Sequence, residues 1–307
     1  KMIHSHDLIK NRILVVGANG MLGQRLVDYF SRQRNVELLA SSVEEVSYND
    51  SSIPYMQIDM TRRESVKNVV YDFYPDYIVN AAAFTNVDLC EKERETAWKV
   101  NVKGVEYLAE TSRIIDTHLI HISTDYIFDG KNGPYPEDAK PNPLGYYGRT
   151  KLASENALRL IGATNTIIRT NVLYGPVKNG RPDFVRWVVN SLKEGKEIRI
   201  VTDQINNPTY IDDLVDAISR IVEFRRQGIF NIGGKEFLSR YDFTLQIADF
   251  FRLDRNLVKP IKTCDLNQTA QRPLKSGLVI LKAETSLGYK PHSIQDTLVK
   301  MKRELDL

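Results

Sequence analysis

A doubly wound α/β fold built on a parallel sheet is what this sequence predicts, on three observations. Short β-branched apolar runs alternate with segments whose apolar residues recur at helical spacing, no two-residue hairpin signal joins one run to the next, and the first run feeds a glycine-punctuated turn that opens a helix. Parallel strands need long crossovers, usually helical, so the alternation and the missing hairpins point to one sheet with helices on both faces.

Taken in order, Arg12 to Val16 is the first strand, and Leu22, Leu26 and Phe30 mark the buried face of the helix after it. Val36 to Ala40 and Pro54 to Ile58 read as the second and third strands. Thr61 and Glu64 have the spacing of a capping box for a helix buried through Val66, Val69, Val70 and Phe73. Tyr77 to Val79 is the fourth strand; Ala97, Val100, Gly104, Leu108 and Ala109 belong to one long helix; Leu119 to Ile122 is the fifth strand. From Asp129 to Gly145, glycines and prolines predict a long irregular loop, a length that inside a compact domain usually signals function. A helix from Tyr147 to Leu160 and a strand from Thr166 to Thr170 come next. Beyond Gly175 the alternation loosens. A helix near Phe184 to Leu192, a strand at Ile198 to Val201, a helix at Asp213 to Phe224 and a strand at Ile229 to Ile232 lead to a helix begun by Ser239 and Asp242, then to a polar loop from Thr263 to Ser276.

Composition excludes several classes of function. Lys and Arg number 42 against 39 Asp and Glu, a balance that leaves no electrostatic footprint for a nucleic acid. No run approaches the roughly 20 apolar residues that cross a bilayer, and no hydrophobic signal segment opens the chain, so no membrane partner and a cytoplasmic location are expected. Cys90 and Cys264 lack any ligand spacing and read as buried free thiols. Residues 1–10 read as a flexible leader, with His4 and His6 part of a solvated tail, and no metal is expected.

Gly17-Ala18-Asn19-Gly20-Met21-Leu22-Gly23 follows a strand and opens a helix, the setting in which such a turn binds a dinucleotide pyrophosphate. Small residues let backbone approach phosphate, first-turn N–H groups face it, and Gly23 lets helix and strand pack closely. The spacing is GxxGxxG, not the GxGxxG of the standard fingerprint. The second strand ends at Ser41 and Ser42 with no carboxylate for the adenosine ribose, which favours NADP(H) while leaving NAD(H) open; Glu44 is near enough to reach the ribose. Asp59 is placed either for the adenine amino group or for capping the following turn.

Tyr147 and Lys151 stand four apart at a helix start and so share one face. A lysine ammonium one turn away favours phenolate and is expected to bring a tyrosine toward neutral working range. The strand before them ends in Ser123 and Thr124, at the edge where ligands bind in such sheets, and a hydroxyl there can hold a substrate carbonyl against Tyr147.

The blocks Gly17–Gly23, Asn80–Thr85, Asn101, Ser123–Gly130 (STDYIFDG), Tyr147–Lys151, Arg169–Gly175, Asp203–Thr209 and Arg272-Pro273 resemble, in order and spacing, the extended short-chain dehydrogenase/reductases, and among them the dTDP-4-dehydrorhamnose reductases. The resemblance covers nearly the whole chain. It implies a Rossmann domain over residues 11–171 plus about 212–233 and a smaller substrate lobe over about 172–211 plus 234–307. It implies Thr124 as the hydroxyl that polarises the substrate, Tyr147 as proton donor, Lys151 as its electrostatic partner and ribose contact, and Asn101 as a helix-kink and water-relay residue. Cofactor contacts would come from Gly17, Asn19, Gly20, Met21, Leu22, Gly23, Ser41, Asp59, Met60, Ala81, Ala82 and Ala83, besides Tyr147 and Lys151. Thr85, Asp125, Asn171, Thr209 and Arg272 would face the substrate, Arg272 against its diphosphate.

The implied reaction is reduction of the 4-keto group of a nucleotide 6-deoxysugar, with a homodimer left open. Related 4,6-dehydratases carry Glu after the strand-end Thr-Asp where this chain has Tyr126, which disfavours dehydration. A 4-epimerase, another ketosugar reductase, or a non-catalytic regulatory subunit like the methionine adenosyltransferase β subunit are the alternatives. Asn206 replaces the glycine of the family's DQxGxPT, a departure on the substrate side.

Overall fold

In the computed structural model, which describes residues 10–305 and 307, strand β1 (Asn11–Val16) is buried on both faces. Ile13 and Val15 point into one apolar layer and Leu14 and Val16 into the other, the period of two that a doubly covered strand requires. Five more strands join it by residue 170: β2 (Val36–Ser42), β3 (Tyr55–Gln57), β4 (Tyr77–Asn80), β5 (His118–Thr124) and β6 (Asn165–Thr170). The helices between them are α1 (Met21–Ser31), α2 (Arg63–Phe73), α3 (Val87–Lys92), α4 (Arg94–Trp98), α5 (Gly104–Ile114) and α6 (Tyr146–Ile161).

After β6 the chain builds β7 (Leu173–Tyr174), α7 (Phe184–Lys193), β8 (Ile198–Val201), β9 (Ile205–Asn206), β10 (Thr209–Tyr210) and α8 (Ile211–Phe224). It then forms β11 (Gly228–Asn231), β12 (Leu238–Ser239), α9 (Arg240–Phe250), β13 (Val258–Ile261), α10 (Leu281–Leu287) and α11 (Ile294–Leu305). Strand β11 returns to the main sheet, which has seven strands in the order β11-β6-β5-β4-β1-β2-β3, every pair parallel. The doubly wound parallel sheet expected from the alternation is therefore present.

Leu26 and Phe30 of α1 pack with Leu214, Ile218 and Ile221 of α8 on one face; Val66 and Val70 of α2 pack with Val105 and Leu108 of α5 on the other. A separate apolar cluster joins Val185, Val188 and Val189 of α7 to Phe243 and Ile247 of α9 and to Leu298 and Met301 of α11. Among the described residues no helix is long and apolar enough to cross a membrane.

Because the chain runs outward from β1 to β3 and then returns to β4 on the other side of β1, a crevice opens at the C-terminal ends of β1 and β4, the switch point where such sheets bind ligands.

Several local expectations change. Helix α2 starts at Arg63, with Arg62 as an N-cap that makes no side-chain hydrogen bond; Thr61 instead bonds the Asp59 carboxylate, so the Thr61/Glu64 capping box is absent. The single helix expected around Ala97 to Ala109 is interrupted at Lys99–Lys103 by a π-turn. Asn101 sits at its centre: its side chain accepts from Phe84 N at 2.7 Å and donates to Phe84 O at 3.1 Å and Thr150 Oγ1 at 3.0 Å, tying the helix sideways to a loop and to α6. Strand β13 and helices α10 and α11 lie in a C-terminal stretch where the sequence predicts only the Ser239 helix and a polar loop, although Ile294, Leu298 and Met301 stand at helical spacing in α11. Cys90 is buried as expected, whereas Cys264 is exposed in the polar loop. The expected leader, with His4 and His6, lies outside the described residues except for Lys10.

Candidate active site

Gly17 adopts φ +84°, and a Cβ there would sit 2.6 Å from Ala82 N; a Cβ on Gly23 would sit 2.0 Å from Gly17 O. Only glycine permits this turn to lie against β4 and under the first turn of α1. Gly17 N and Ala18 N donate to Ser41 O at 2.8 and 2.9 Å, fixing the turn to the end of β2. Gly20 caps α1 without a side chain, so the first-turn N–H groups of Met21, Leu22 and Gly23 have no intrahelical acceptor and suit an anion. The residues present fit a dinucleotide: a backbone cradle that side chains would fill, at a helix N-terminus.

Beside the turn is a cavity of about 340 Å³ lined by Gly17, Gly20, Asp59, Met60, Ala81, Ala82 and Ala83 of the expected set, together with Ser42, Glu44 and Phe84. Other expected residues turn into the fold. The Ser41 side chain is fully buried and donates to Met56 O at 2.5 Å, so its hydroxyl is not offered to a ligand. Leu22 packs in the core, and Met21 packs against it. Asn19 donates to Glu44 Oε2 and Val46 O, both at 3.0 Å, and accepts from Tyr48 N at 2.8 Å; it pins the loop after β2.

Thr124 ends β5. Its hydroxyl accepts from Tyr126 N and donates to Asp125 Oδ1, each at 3.2 Å. Tyr147 lies in the first turn of α6, whose N-terminus is capped by Glu91 accepting from Tyr146 N at 2.6 Å. Burial raises the Tyr147 phenol above its ordinary value, the Asp125 carboxyl adds to this, and the Thr124 hydroxyl pulls the other way. This corrects the expectation that Lys151 brings the phenol toward neutrality. The Lys151 ammonium instead donates to Ile122 O at 2.6 Å, and burial lowers it to about 8 against the pull of Glu155.

Behind this pair, His121 bridges Asn80 at 3.2 Å and Ser154 at 2.9 Å, and Ser154 donates to Lys151 O at 2.6 Å. Burial first, and then Lys151, hold the imidazole well below its usual range, so it serves as a neutral spacer between sheet and helix.

On the substrate side, Asn171 and Thr209 are buried and bonded to one another at 2.9 Å, with Asn171 also donating to Asn207 at 2.6 Å. Their polar groups are satisfied within the fold, contrary to the expected ligand role. Thr85 is exposed at the end of the β4 loop, and Asp125 is buried against Ser276. Arg272 presents its fork to Asp88, at 2.8 and 2.7 Å, while also lining a cavity of about 730 Å³ with Asp203, Gln268 and Lys275.

Sequence reasoning passed over Arg240, the first residue of α9. Its guanidinium lies 4.7 Å over the Phe184 ring, and among the described residues it has no carboxylate partner. Burial lowers its pKa, Tyr126 raises it and Arg272 lowers it again, the signature of a cation short of an anion. It lines a cavity of about 440 Å³ with Arg181, Arg199, Phe184 and Trp187. It also borders the narrow space beside Tyr126, whose ring meets Tyr147 edge to face at 5.6 Å. Only its position after the Ser239 cap could have drawn attention to it.

The description "RmlD substrate binding domain" belongs to the family model that matches residues 11–307. A dTDP-4-dehydrorhamnose reductase of Aggregatibacter actinomycetemcomitans is 32% identical, over 94% of this chain and 97% of that protein. Methionine adenosyltransferase 2 subunit beta of Bos taurus is 30% identical over 91% and 83%. The crystal structure of a dTDP-4-dehydrorhamnose reductase from Bacillus anthracis in complex with NADP superposes with a TM-score of 0.83 at 29% identity, covering 96% of this chain and 99% of that one. With the match running from the first strand to the C-terminus, this chain belongs to the RmlD substrate binding domain family.

Proposed function

We propose that this chain reduces the 4-keto group of a nucleotide-activated 6-deoxysugar, in the manner of a dTDP-4-dehydrorhamnose reductase. The observation that carries the reading is the meeting of Thr124, at the C-terminal end of β5, with Tyr147, in the first turn of α6, on the sheet edge that also carries the glycine turn. When bound in that turn, a reduced nicotinamide dinucleotide supplies the hydride.

The protein's own groups do the rest. Burial keeps the Tyr147 phenol protonated at neutral pH, the form a proton donor to the developing alkoxide needs. Thr124 offers a second hydroxyl to the same oxygen, and Lys151, buried one turn along α6, is anchored to the end of β5 through Ile122 O. Arg240 and the aromatic Phe184 and Trp187 suit the diphosphate and base of a nucleotide, placing its sugar toward Tyr126 and Tyr147. The substrate lobe would then be residues 172–211 and 234–307.

The test is turnover of the purified chain on a panel of nucleotide 4-keto-6-deoxysugars, followed as loss of reduced nicotinamide absorbance. Oxidation that depends on the ketosugar supports the reading. Dinucleotide binding with no turnover on any member moves the chain to the non-catalytic role suggested by its likeness to methionine adenosyltransferase 2 subunit beta.

A further inference from the structure

The segment between β7 and α7 touches both halves of the candidate site. At its far end Arg181, Phe184 and Trp187 line the cavity that holds Arg240. In its middle Asn179 meets the cofactor side. The Asn179 side chain donates to Tyr48 O at 2.9 Å, its carbonyl accepts from Gln24 Nε2 at 3.0 Å, and its N–H faces Gln24 Oε1 at 3.4 Å. Gln24, buried in α1 next to Gly23, also donates from Nε2 to Asn19 O at 2.8 Å, inside the glycine turn.

Asn19 extends the same network. Its side chain accepts from Tyr48 N and donates to Glu44 and Val46 O, while Asn49 Nδ2 donates to Ala18 O at 3.1 Å. Val43 and Val46 are exposed, so these polar bonds, and not apolar packing at those two positions, hold the loop after β2 to the turn. Glycine turn, β2 loop and Asn179 segment thus form one hydrogen-bonded unit around a cavity of about 220 Å³.

Beyond Asn179 the segment is fastened again. The buried Asp183 carboxylate accepts from Gly175 N at 3.1 Å, Val185 N at 3.2 Å and Arg186 N at 3.1 Å, and Arg186 Nη1 donates to Val177 O at 3.0 Å. Between the two fastenings lies Gly180, at φ +98° with open space where a Cβ would stand, a residue free to turn. Arg181 is therefore confined only while Asn179 is held, and what holds Asn179 is the unit on which a dinucleotide would sit.

We propose that Gln24 and Asn179 are positioning residues that couple the two halves of the site. A dinucleotide seated on the glycine turn orders the turn and the β2 loop, and through Gln24 and Tyr48 it fixes Asn179, Arg181 and the start of α7 to receive the nucleotide of the substrate. The second ligand then meets a segment whose ordering the first has already supplied, so each tightens the other by the same factor. The inference rests on the dinucleotide and nucleotide-sugar reading above.

The test titrates the full chain with dTDP by calorimetry, alone and saturated with NADPH, and with NADPH by fluorescence, alone and saturated with dTDP; no turnover is involved. Each ligand is expected to bind about fivefold or more tightly in the presence of the other. Asn179→Ala, which alters an exposed loop side chain, and Gln24→Met, which keeps the buried volume, should bring that ratio toward one while each affinity for the free chain changes little. NADPH alone should slow amide hydrogen exchange across residues 176–182 in the unaltered chain and not in Asn179→Ala. Binding of both ligands with no mutual effect, or a ratio that both variants leave unmoved, overturns the coupling and leaves the functional reading standing. Failure of NADPH or dTDP to bind the unaltered chain overturns that reading and the coupling with it.

Discussion

Ser276 donates a hydrogen bond of 2.5 Å to Asp125 Oδ2, tying the C-terminal segment to the residue that follows Thr124. Asp125 is fully buried, and burial raises its carboxyl to about 7, although hydrogen bonds from Ser276 and Thr124 work to lower it. A carboxyl whose folded pKa exceeds its ordinary 3.8 binds its proton more tightly in the folded state. Its contribution to stability is complete below about pH 4 and is lost as pH rises toward 7, at no more than about 1.4 kcal/mol per pH unit. Urea unfolding across that window should show a downward slope that Asp125→Asn lacks. Parallel curves for the two proteins rule out this titration.

Tyr147→Phe removes the phenolic proton while keeping the ring against Tyr126. Turnover of the ketosugar should fall about 100-fold to 10,000-fold, the usual worth of a positioned general acid, with dinucleotide affinity unchanged. Undiminished kcat assigns the proton to another group.

Arg240 has a distinct kinetic signature. Because its guanidinium has no carboxylate partner among the described residues and lines the cavity beside Phe184 and Trp187, Arg240→Gln should raise KM for the nucleotide sugar about tenfold while kcat barely moves. An equal loss in kcat instead places the arginine's effect in the transition state. The same substitution in Arg272, which is already paired with Asp88, should act more on stability than on KM.

Behind Thr124, the Glu155 carboxylate receives Ser123 Oγ at 2.6 Å and the Arg169 fork at 3.0 and 2.7 Å, all of it buried. Arg169 also donates to Glu137 O at 2.8 Å, so the pair fastens the loop after β5 to the sheet. Glu155→Gln leaves a buried guanidinium without its counter-charge and is expected to cost about 3–5 kcal/mol of unfolding free energy, read from the denaturation midpoint. A midpoint shift well under 1 kcal/mol would mean the charge is compensated elsewhere.

The layered sheet was legible in the sequence because periodicity and turn chemistry are local. The apolar run at Ile13 to Val16, the spacing of Leu22, Leu26 and Phe30, and the glycines at 17, 20 and 23 each fix torsions or faces within a few residues. The order of Thr124, Tyr147 and Lys151 likewise places all three near one sheet edge, since a strand end and the start of the next helix must meet there. Which polar groups stay available was decided only by the tertiary structure. Arg272 is claimed by Asp88, far back along the chain, Ser41 by Met56, and Asn171 by Asn207 and Thr209; Arg240 gains no such partner among the described residues. A buried donor or acceptor must be satisfied by whatever the fold brings beside it, and that neighbour is seldom close in sequence. The same logic applies at the π-turn, where Asn101 is tied to Phe84 and Thr150, and at the Glu44 carboxylate, held at the cavity by Asn19. The sequence by itself determined the scaffold and the gathering of Thr124, Tyr147 and Lys151 at one sheet edge; the folded packing decided which charges face the candidate site.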